Sequence, residues 1–118
     1  MGNLQIKHST ITIQVNDLDR SIRFYENLGM QLEQKWGPHY AQLQAPGLTI
    51  GLHPNESDQK LSGSGNVSIG FTCEDFDNVK SLLSASAIQF TERTEEGGKF
   101  IHFQDPDGTA LYCIEPKW

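Results

Sequence analysis

The chain has 118 residues, of which 36% are hydrophobic, and its formal net charge is −6. This composition predicts one folded domain, or two fused half-domains, and argues against a disordered chain. The nine basic residues are scattered, so we expect no nucleic-acid partner, because phosphate contacts require clustered Lys and Arg. No apolar run reaches the roughly 20 residues that cross a membrane, and Met1–Ile6 does not resemble a secretory signal. We therefore expect a cytoplasmic protein without membrane contact.

The first half of the chain predicts a strand, a helix and three further strands. His8–Val15 alternates and is rich in β-branched residues, as is typical of a strand. From Leu18 the apolar residues follow a helical spacing, and Gly29 is suited to end that helix in a left-handed conformation. Turns containing Gly and Pro separate the three strands that follow, which are Met30–Trp36, Tyr40–Gln44 and Leu48–His53.

The second half repeats this order after a linker. Pro54–Asn66 is rich in Ser, Gly and Asn, which is typical of a flexible connection. A strand over Val67–Cys73 then leads into a helix that begins near Glu74 and Asp75. Its predicted apolar stripe is Phe76, Val79, Leu82 and Leu83, and the strands predicted after it are Ala87–Arg93, Lys99–Gln104 and Thr109–Glu115.

Two segments at corresponding places have nearly the same pattern, "ITIQVNDLDRSI" and "IGFTCEDFDNVK". Asp17 corresponds to Asp75, and each is placed to accept hydrogen bonds at a helix start. The repeat predicts an α+β fold of two βαβββ modules, residues 7–53 and 67–116, joined by residues 54–66. We expect the modules to form an open eight-stranded mixed sheet around a cleft, all within one domain of residues 1–118.

Two motifs connect this pattern with a known family. The first, "V-x-D-L-x-x-S-x-x-F-Y-x-x-L-G", runs from Val15 to Gly29, and the second is "D-P-D-G" at Asp105–Gly108. Together with the paired modules, they resemble the vicinal oxygen chelate superfamily. That superfamily includes glyoxalase I, bleomycin- and fosfomycin-resistance proteins and extradiol dioxygenases. The resemblance covers essentially the whole chain and is more specific for the fold than for the function.

The resemblance implies four metal-ligand positions, one early in the first strand and one late in the last strand of each module. The early positions correspond to Thr10 and Ser68, whose hydroxyls are poor ligands for a catalytic divalent ion. The late positions correspond to His53 and Glu115, which are competent ligands. His8 lies on the same strand face as Thr10 but about 6.6 Å away along the strand, so it replaces Thr10 only after a register change. Half of the ligand set is therefore missing.

We accordingly expect a small-molecule-binding protein of the glyoxalase and bleomycin-resistance type, without a tightly held catalytic metal. The alternative is a divalent-metal-dependent lyase, isomerase or dioxygenase acting on vicinal oxygens, with His53 and Glu115 as ligands and Glu115 as the catalytic base. A cofactor-free enzyme with His53 as general base is a third hypothesis. The resemblance also implies a homodimer. The candidate ligand-binding residues are Thr10, Trp36, Tyr40, His53, Ser68, His102 and Glu115.

Some residues have a structural interpretation as well. His53 is also consistent with a hydrogen-bonded residue at a strand end, and the roles of His8 and His102 stay open. The two cysteines, Cys73 and Cys113, each lie in an apolar predicted strand, so we expect reduced, buried thiols.

Overall fold

A computed structural model describes residues 2–57 and 63–116. The chain divides into two compact units, Met1–Leu61 and Ser62–Trp118. Each unit has the element order strand, helix and three strands, so the predicted α+β fold of two βαβββ modules is confirmed. The eight strands of the described residues are hydrogen-bonded as two sheets of four, one in each unit. No helix in these residues is long and apolar enough to cross a membrane.

The first unit is a four-stranded sheet with one helix. Its strand order is β1-β4-β3-β2, in which β1 runs parallel to β4 and the other pairs are antiparallel. The elements are β1 (Ile11–Val15), α1 (Leu18–Leu28), β2 (Gln31–Trp36), β3 (Tyr40–Ala45) and β4 (Leu48–Pro54).

Helix α1 has the boundaries that its terminal residues favour. The Asp17 carboxylate accepts a hydrogen bond from the backbone N–H of Arg20 at 3.1 Å, which satisfies one of the free donors at the helix start. Gly29 ends the helix with φ +112°, a conformation that costs glycine little because it has no Cβ. The buried side of the helix faces β3 and β4, and it consists of Leu18, Ser21, Ile22 and Tyr25.

The core of the first unit lies between α1 and one face of the sheet. Leu43 of β3 and Ile50 and Leu52 of β4 are fully buried there. Tyr25 of the helix is equally buried, so these side chains contribute most of the hydrophobic stabilisation of the unit. Because side chains alternate along a strand, the neighbours of these core residues lie on the other face.

The second unit repeats this arrangement with the strand order β5-β8-β7-β6, in which β5 is parallel to β8. Asp75 caps the helix as Asp17 does, accepting from the N–H of Asn78 at 3.2 Å. The elements are β5 (Ser68–Thr72), α2 (Phe76–Ala85), β6 (Phe90–Glu95), β7 (Gly98–Gln104) and β8 (Ala110–Pro116). Its core contains Ile69, Leu83, Ile101, Phe103, Leu111 and Cys113.

The "DPDG" segment forms the predicted tight turn between β7 and β8. The Asp105 carboxylate is buried and accepts hydrogen bonds from the N–H groups of Asp107, at 2.9 Å, and Thr109, at 2.8 Å. The N–H of Gly108 also donates to the Asp105 carbonyl at 3.0 Å. Asp105 therefore organises the turn, as expected of an aspartate in this position.

Two strands begin three residues later than the sequence pattern suggested. The strand expected over His8–Val15 begins only at Ile11, so Thr10 precedes it. The strand expected over Ala87–Arg93 begins at Phe90. Ala87 has φ +57°, and its N–H donates to the carbonyl of Ser84 in α2 at 3.1 Å. The chain at Ala87 therefore completes the C-terminal turn of the helix, which delays the strand.

Candidate functional site

The sheet of the first unit has a polar face on the side away from α1. We call it the amide face because glutamine is its most frequent residue. The strand registers place its members in adjacent rows across all four strands. These members are Thr12, Gln14, Gln31, Gln34, Trp36, Tyr40, Gln42, Gln44, Thr49, Gly51 and His53.

Tyr40 lies against the backbone of Gly51 in the middle of this face. A Cβ at Gly51 would overlap the Tyr40 hydroxyl and would come within 2.8 Å of the Thr12 hydroxyl oxygen. The side-chain amide of Gln42 donates a hydrogen bond to the Tyr40 hydroxyl at 3.2 Å. The rings of Trp36 and Tyr40 are in contact, with centroids 5.3 Å apart and planes inclined by 39°. Glycine at position 51 therefore provides the space in which the tyrosine lies.

Three of the predicted ligand-binding residues come together on the amide face. Trp36 is the register partner of Tyr40, and His53 lies on the same face, at the register position next to Gln14. The Nδ1 atom of His53 is 2.8 Å from the carbonyl oxygen of Pro54. Because a carbonyl oxygen only accepts, Nδ1 carries the proton, and Nε2 of the neutral ring is left as an acceptor.

Thr10 does not join this group. It lies four residues before Gln14, which is the register partner of His53. That separation corresponds to about 13 Å along the strand direction. Within the first unit, the two positions that the resemblance assigns to metal ligands are therefore not neighbours.

The second unit carries a different set of residues on the face away from its core. We call this the aromatic face. The ring centroid of His102 lies 6.0 Å from that of Phe100 and 5.9 Å from that of Tyr112. Gly70 lies beneath the ring of Tyr112, and a Cβ at this position would overlap the ring. The face consists of Ser68, Gly70, Thr72, Thr91, Arg93, Phe100, His102, Gln104, Ala110, Tyr112 and Ile114.

The aromatic face contains two of the predicted site residues but not the third. Ser68 and His102 lie on it, one register row apart. Glu115 is an odd number of residues from Tyr112 in β8, so it alternates onto the opposite face, with the buried Cys113. Its cross-strand partner is Lys99. The alternative hypothesis, in which His53 and Glu115 are ligands of one metal ion, needs residues from both units and stays a prediction.

The donor set does not fit a firmly held divalent ion. In residues 2–57 and 63–116, no group of three or more His, Cys, Asp and Glu side chains could hold a metal. The amide face offers one imidazole, hydroxyls and neutral amides, whereas zinc and the other catalytic transition metals favour several imidazole, thiolate or carboxylate ligands.

The two cysteines are free thiols in the second unit, and their environments differ. Cys113 is buried, and burial, a hydrogen bond that its S–H donates to Cys73 and repulsion from the Cys73 thiolate together raise the pKa of its thiol to about 12. Cys73 is half-buried, and its sulfur lies 3.7 Å from the carbonyl oxygen of Phe71. The burial expected of both thiols is thus confirmed at Cys113, whereas Cys73 is only half-buried.

We expect Cys113 to resist alkylation in the native protein at pH 8. The thiolate is the reactive form, and a raised pKa keeps it scarce at this pH. Iodoacetamide labelling followed by peptide mass spectrometry should find carbamidomethyl at Cys73 before Cys113. Labelling in 6 M guanidinium chloride provides the control, because both thiols should react there. Faster native labelling of Cys113 would contradict the burial of this side chain.

Comparison of the sequence with models of known protein families identifies the superfamily of this chain. The model of the Glyoxalase/Bleomycin resistance protein/Dioxygenase superfamily matches residues 5–111. The chain belongs to this superfamily. The resemblance seen in the sequence motifs is therefore confirmed.

The relatives of this superfamily member share its fold at low sequence identity. One is the genomically encoded fosfomycin resistance protein of Listeria monocytogenes, solved as a variant with Mn(II) and 1S,2S-dihydroxypropylphosphonic acid. It is 21% identical to this chain with a TM-score of 0.78, and the match covers 94% of this chain and 90% of that one. A lactoylglutathione lyase of Agrobacterium tumefaciens is 16% identical with a TM-score of 0.72, over 96% of each chain. An uncharacterized protein of Mycolicibacterium smegmatis is 30% identical over 76 residues, or 64% of this chain, and the match spans 63% of that relative.

Sequence reasoning missed several residues of this glyoxalase-superfamily chain that line the two faces. Thr12 and Gln42 surround Tyr40, and Phe100 and Tyr112 surround His102. The available signal was a glycine inside a predicted strand, at Gly51 and Gly70. Such a glycine often marks a place where another group approaches the backbone closely.

Proposed function

We propose that this protein binds a small organic molecule and does not depend on a tightly held catalytic metal. The observation that carries the proposal is the amide face, where Trp36 and Tyr40 are in ring contact and Gln42 and Gly51 hold the tyrosine in position. Ligand sites commonly combine aromatic surface with a few placed polar groups. Both kinds of group are present on this face.

The alternative is a divalent-metal-dependent lyase, isomerase or dioxygenase. It would require His53 and Glu115 as ligands, with Glu115 also moving a proton. The manganese in the Listeria protein belongs to a chain that shares only 21% of its residues with this one. The strand face of Glu115 and the hydroxyls of Thr10 and Ser68 favour the metal-free proposal. We further propose that the protein forms a homodimer and acts in the cytoplasm, as the sequence led us to expect.

Metal analysis and thermal shift test the proposal together. Protein purified without chelators should contain far less than one equivalent of Mn, Ni, Zn or Fe by plasma mass spectrometry. Its Tm should rise with small aromatic ligands and should not rise with the metal salts, because only binding to the folded state stabilises it. The variant Tyr40→Ala should lose the ligand-dependent shift.

A stoichiometric ion, together with a metal-dependent Tm that Glu115→Gln lowers, would support the alternative. A Tm insensitive to all ligands and to all metals would overturn the binding proposal. The variant Gln104→Ala serves as the matched control, because Gln104 is an exposed polar residue in the other unit. Its response to ligands should equal that of the unaltered protein.

A further inference from the structure

We infer that the amide face selects a planar, uncharged ligand that both donates and accepts hydrogen bonds. The inference rests on the proposed binding function and names the ligand class for it. None of the register-paired residues of this face, all of them described, is an Asp, Glu, Lys or Arg. Lys35 of β2 alternates onto the α1 side, where its ammonium lies 3.5 Å from the Asp19 carboxylate. Glu33 lies at the register shift of β2 and is exposed.

The aromatic pair accounts for the planar part of the ligand. Trp36 is 42% exposed, so one side of its indole is accessible beside Tyr40. Aromatic rings associate in offset-stacked or edge-on arrangements, which stabilise a pair beyond the effect of the buried area alone. A flat ring placed against Trp36 would also extend over the neighbouring Tyr40.

The polar groups account for the hydrogen-bonding part. The Tyr40 hydroxyl already accepts from Gln42, so its own proton is directed elsewhere and can be donated to a ligand. The Nε2 atom of His53 is an acceptor in the neutral ring, and the Thr12 hydroxyl, beside Tyr40, can do either. The face thus offers complementary neutral donors and acceptors.

The absence of a counter-charge on this face accounts for the selection against ions. A charged ligand loses hydration when it binds, and only an opposite charge or several aligned hydrogen bonds recover that cost. Tyr40 and His53 are half-buried, so a charge near them would be partly desolvated. An amide group in the same place keeps its hydrogen bonds and does not carry this cost.

Three probes that share one ring test the inference. They are indole-3-acetamide, which is neutral, indole-3-acetate, which is an anion, and tryptamine, which is a cation at pH 7. The full chain carries Trp118→Phe, so that Trp36 is the only indole and its Nε1–H gives one identifiable peak in the proton–nitrogen NMR spectrum. Titration of that peak measures Kd, and we expect the neutral probe to bind at least about 10-fold more tightly than either ion.

Two Gln→Glu substitutions, one on the amide face and one outside it, separate the loss of a hydrogen bond from a general effect of added negative charge. Gln42→Glu replaces the donor to Tyr40 with an acceptor, so the hydroxyl proton turns towards position 42 and away from the ligand. We expect the affinity for indole-3-acetamide to fall about 10-fold, which corresponds to one lost hydrogen bond. Gln89→Glu is the matched control, because it makes the same substitution at an exposed residue of the other unit, outside the amide face, and should change the affinity less than about 3-fold. Tyr40→Phe should reproduce the loss without adding charge.

Each outcome supports or overturns a distinct statement. Equal or tighter binding of indole-3-acetate or tryptamine, seen at the Trp36 peak, would overturn the ligand class and leave the binding function intact. Thermal stabilisation by a probe without any shift of the Trp36 peak would place the site elsewhere and would likewise overturn this inference alone. If no probe changed either the peak or the Tm, both the inference and the proposed function would be wrong.

Discussion

Leu43→Ala is expected to lower the free energy of unfolding by about 3 kcal/mol, because it removes buried methyl groups and leaves a cavity. Leu43 is fully buried in the centre of β3, beneath α1. Its cross-strand partner Leu32 is a matched control, since it has the same side chain and 38% of its surface is exposed. Leu32→Ala should cost less than about 1 kcal/mol. Urea denaturation followed by circular dichroism measures both values.

The cost of Leu43→Ala tests which face of β3 is the core face. A one-residue slip in the register of a strand would exchange its buried and exposed faces. If Leu43→Ala cost no more than Leu32→Ala, which truncates an exposed leucine at the edge of the same sheet face, the assignment of the core face and of the amide face would be wrong. Similar slopes of the free energy against urea concentration would show that the variants unfold from equally compact native states.

Gly51→Ala is expected to weaken the binding of indole-3-acetamide, measured at the Trp36 peak, by at least about 10-fold in Kd. A methyl group at position 51 would overlap the Tyr40 hydroxyl and press against Thr12. The tyrosine must therefore leave its place over the strand, and Gln42 loses its hydrogen-bond partner. The overlapping atoms are at the end of the Tyr40 side chain, which can move aside. The substitution should therefore lower the free energy of unfolding by only about 1 kcal/mol.

Gly70→Ala is the control for this experiment. It introduces the same methyl group in β5 of the other unit, where it would overlap the ring of Tyr112. Binding at the amide face should be unchanged. In a Tyr40→Ala background, Gly51→Ala should have little further effect, because the residue with which it collides has gone. Additive effects of Gly51→Ala and Tyr40→Ala would contradict the contact between these two residues.

Local chemistry explains why so much of the fold was predictable. The helix start at Asp17 and the stop at Gly29 depend on groups within a few residues of each other, and both were correctly assigned. The turn at Asp105–Gly108 has the same local origin. The strand was expected to begin at Ala87, and this prediction was wrong. The backbone N–H of Ala87 is hydrogen-bonded to the C-terminal end of α2, which the alternating sequence pattern does not reveal.

The candidate site was predicted only in part. The sequence predicted three ligand-binding residues at strand ends that the structure brings onto one face, namely Trp36, Tyr40 and His53. It did not predict their neighbours Thr12 and Gln42. These two are close to Tyr40 because of the sheet structure, which sequence spacing does not reveal. Resemblance placed Thr10 beside His53, whereas the parallel register of β1 and β4 separates them by about four residues.

The sequence alone determined the module repeat, the helix boundaries, the turns and the family, because caps, glycine conformations and periodicity act over a few residues. Only the tertiary structure decided which side chains share a face. That choice depends on the register between strands that are distant in the chain, and a shift of one residue would exchange the two faces. Tyr40 over Gly51 and Glu115 opposite Lys99 are consequences of register.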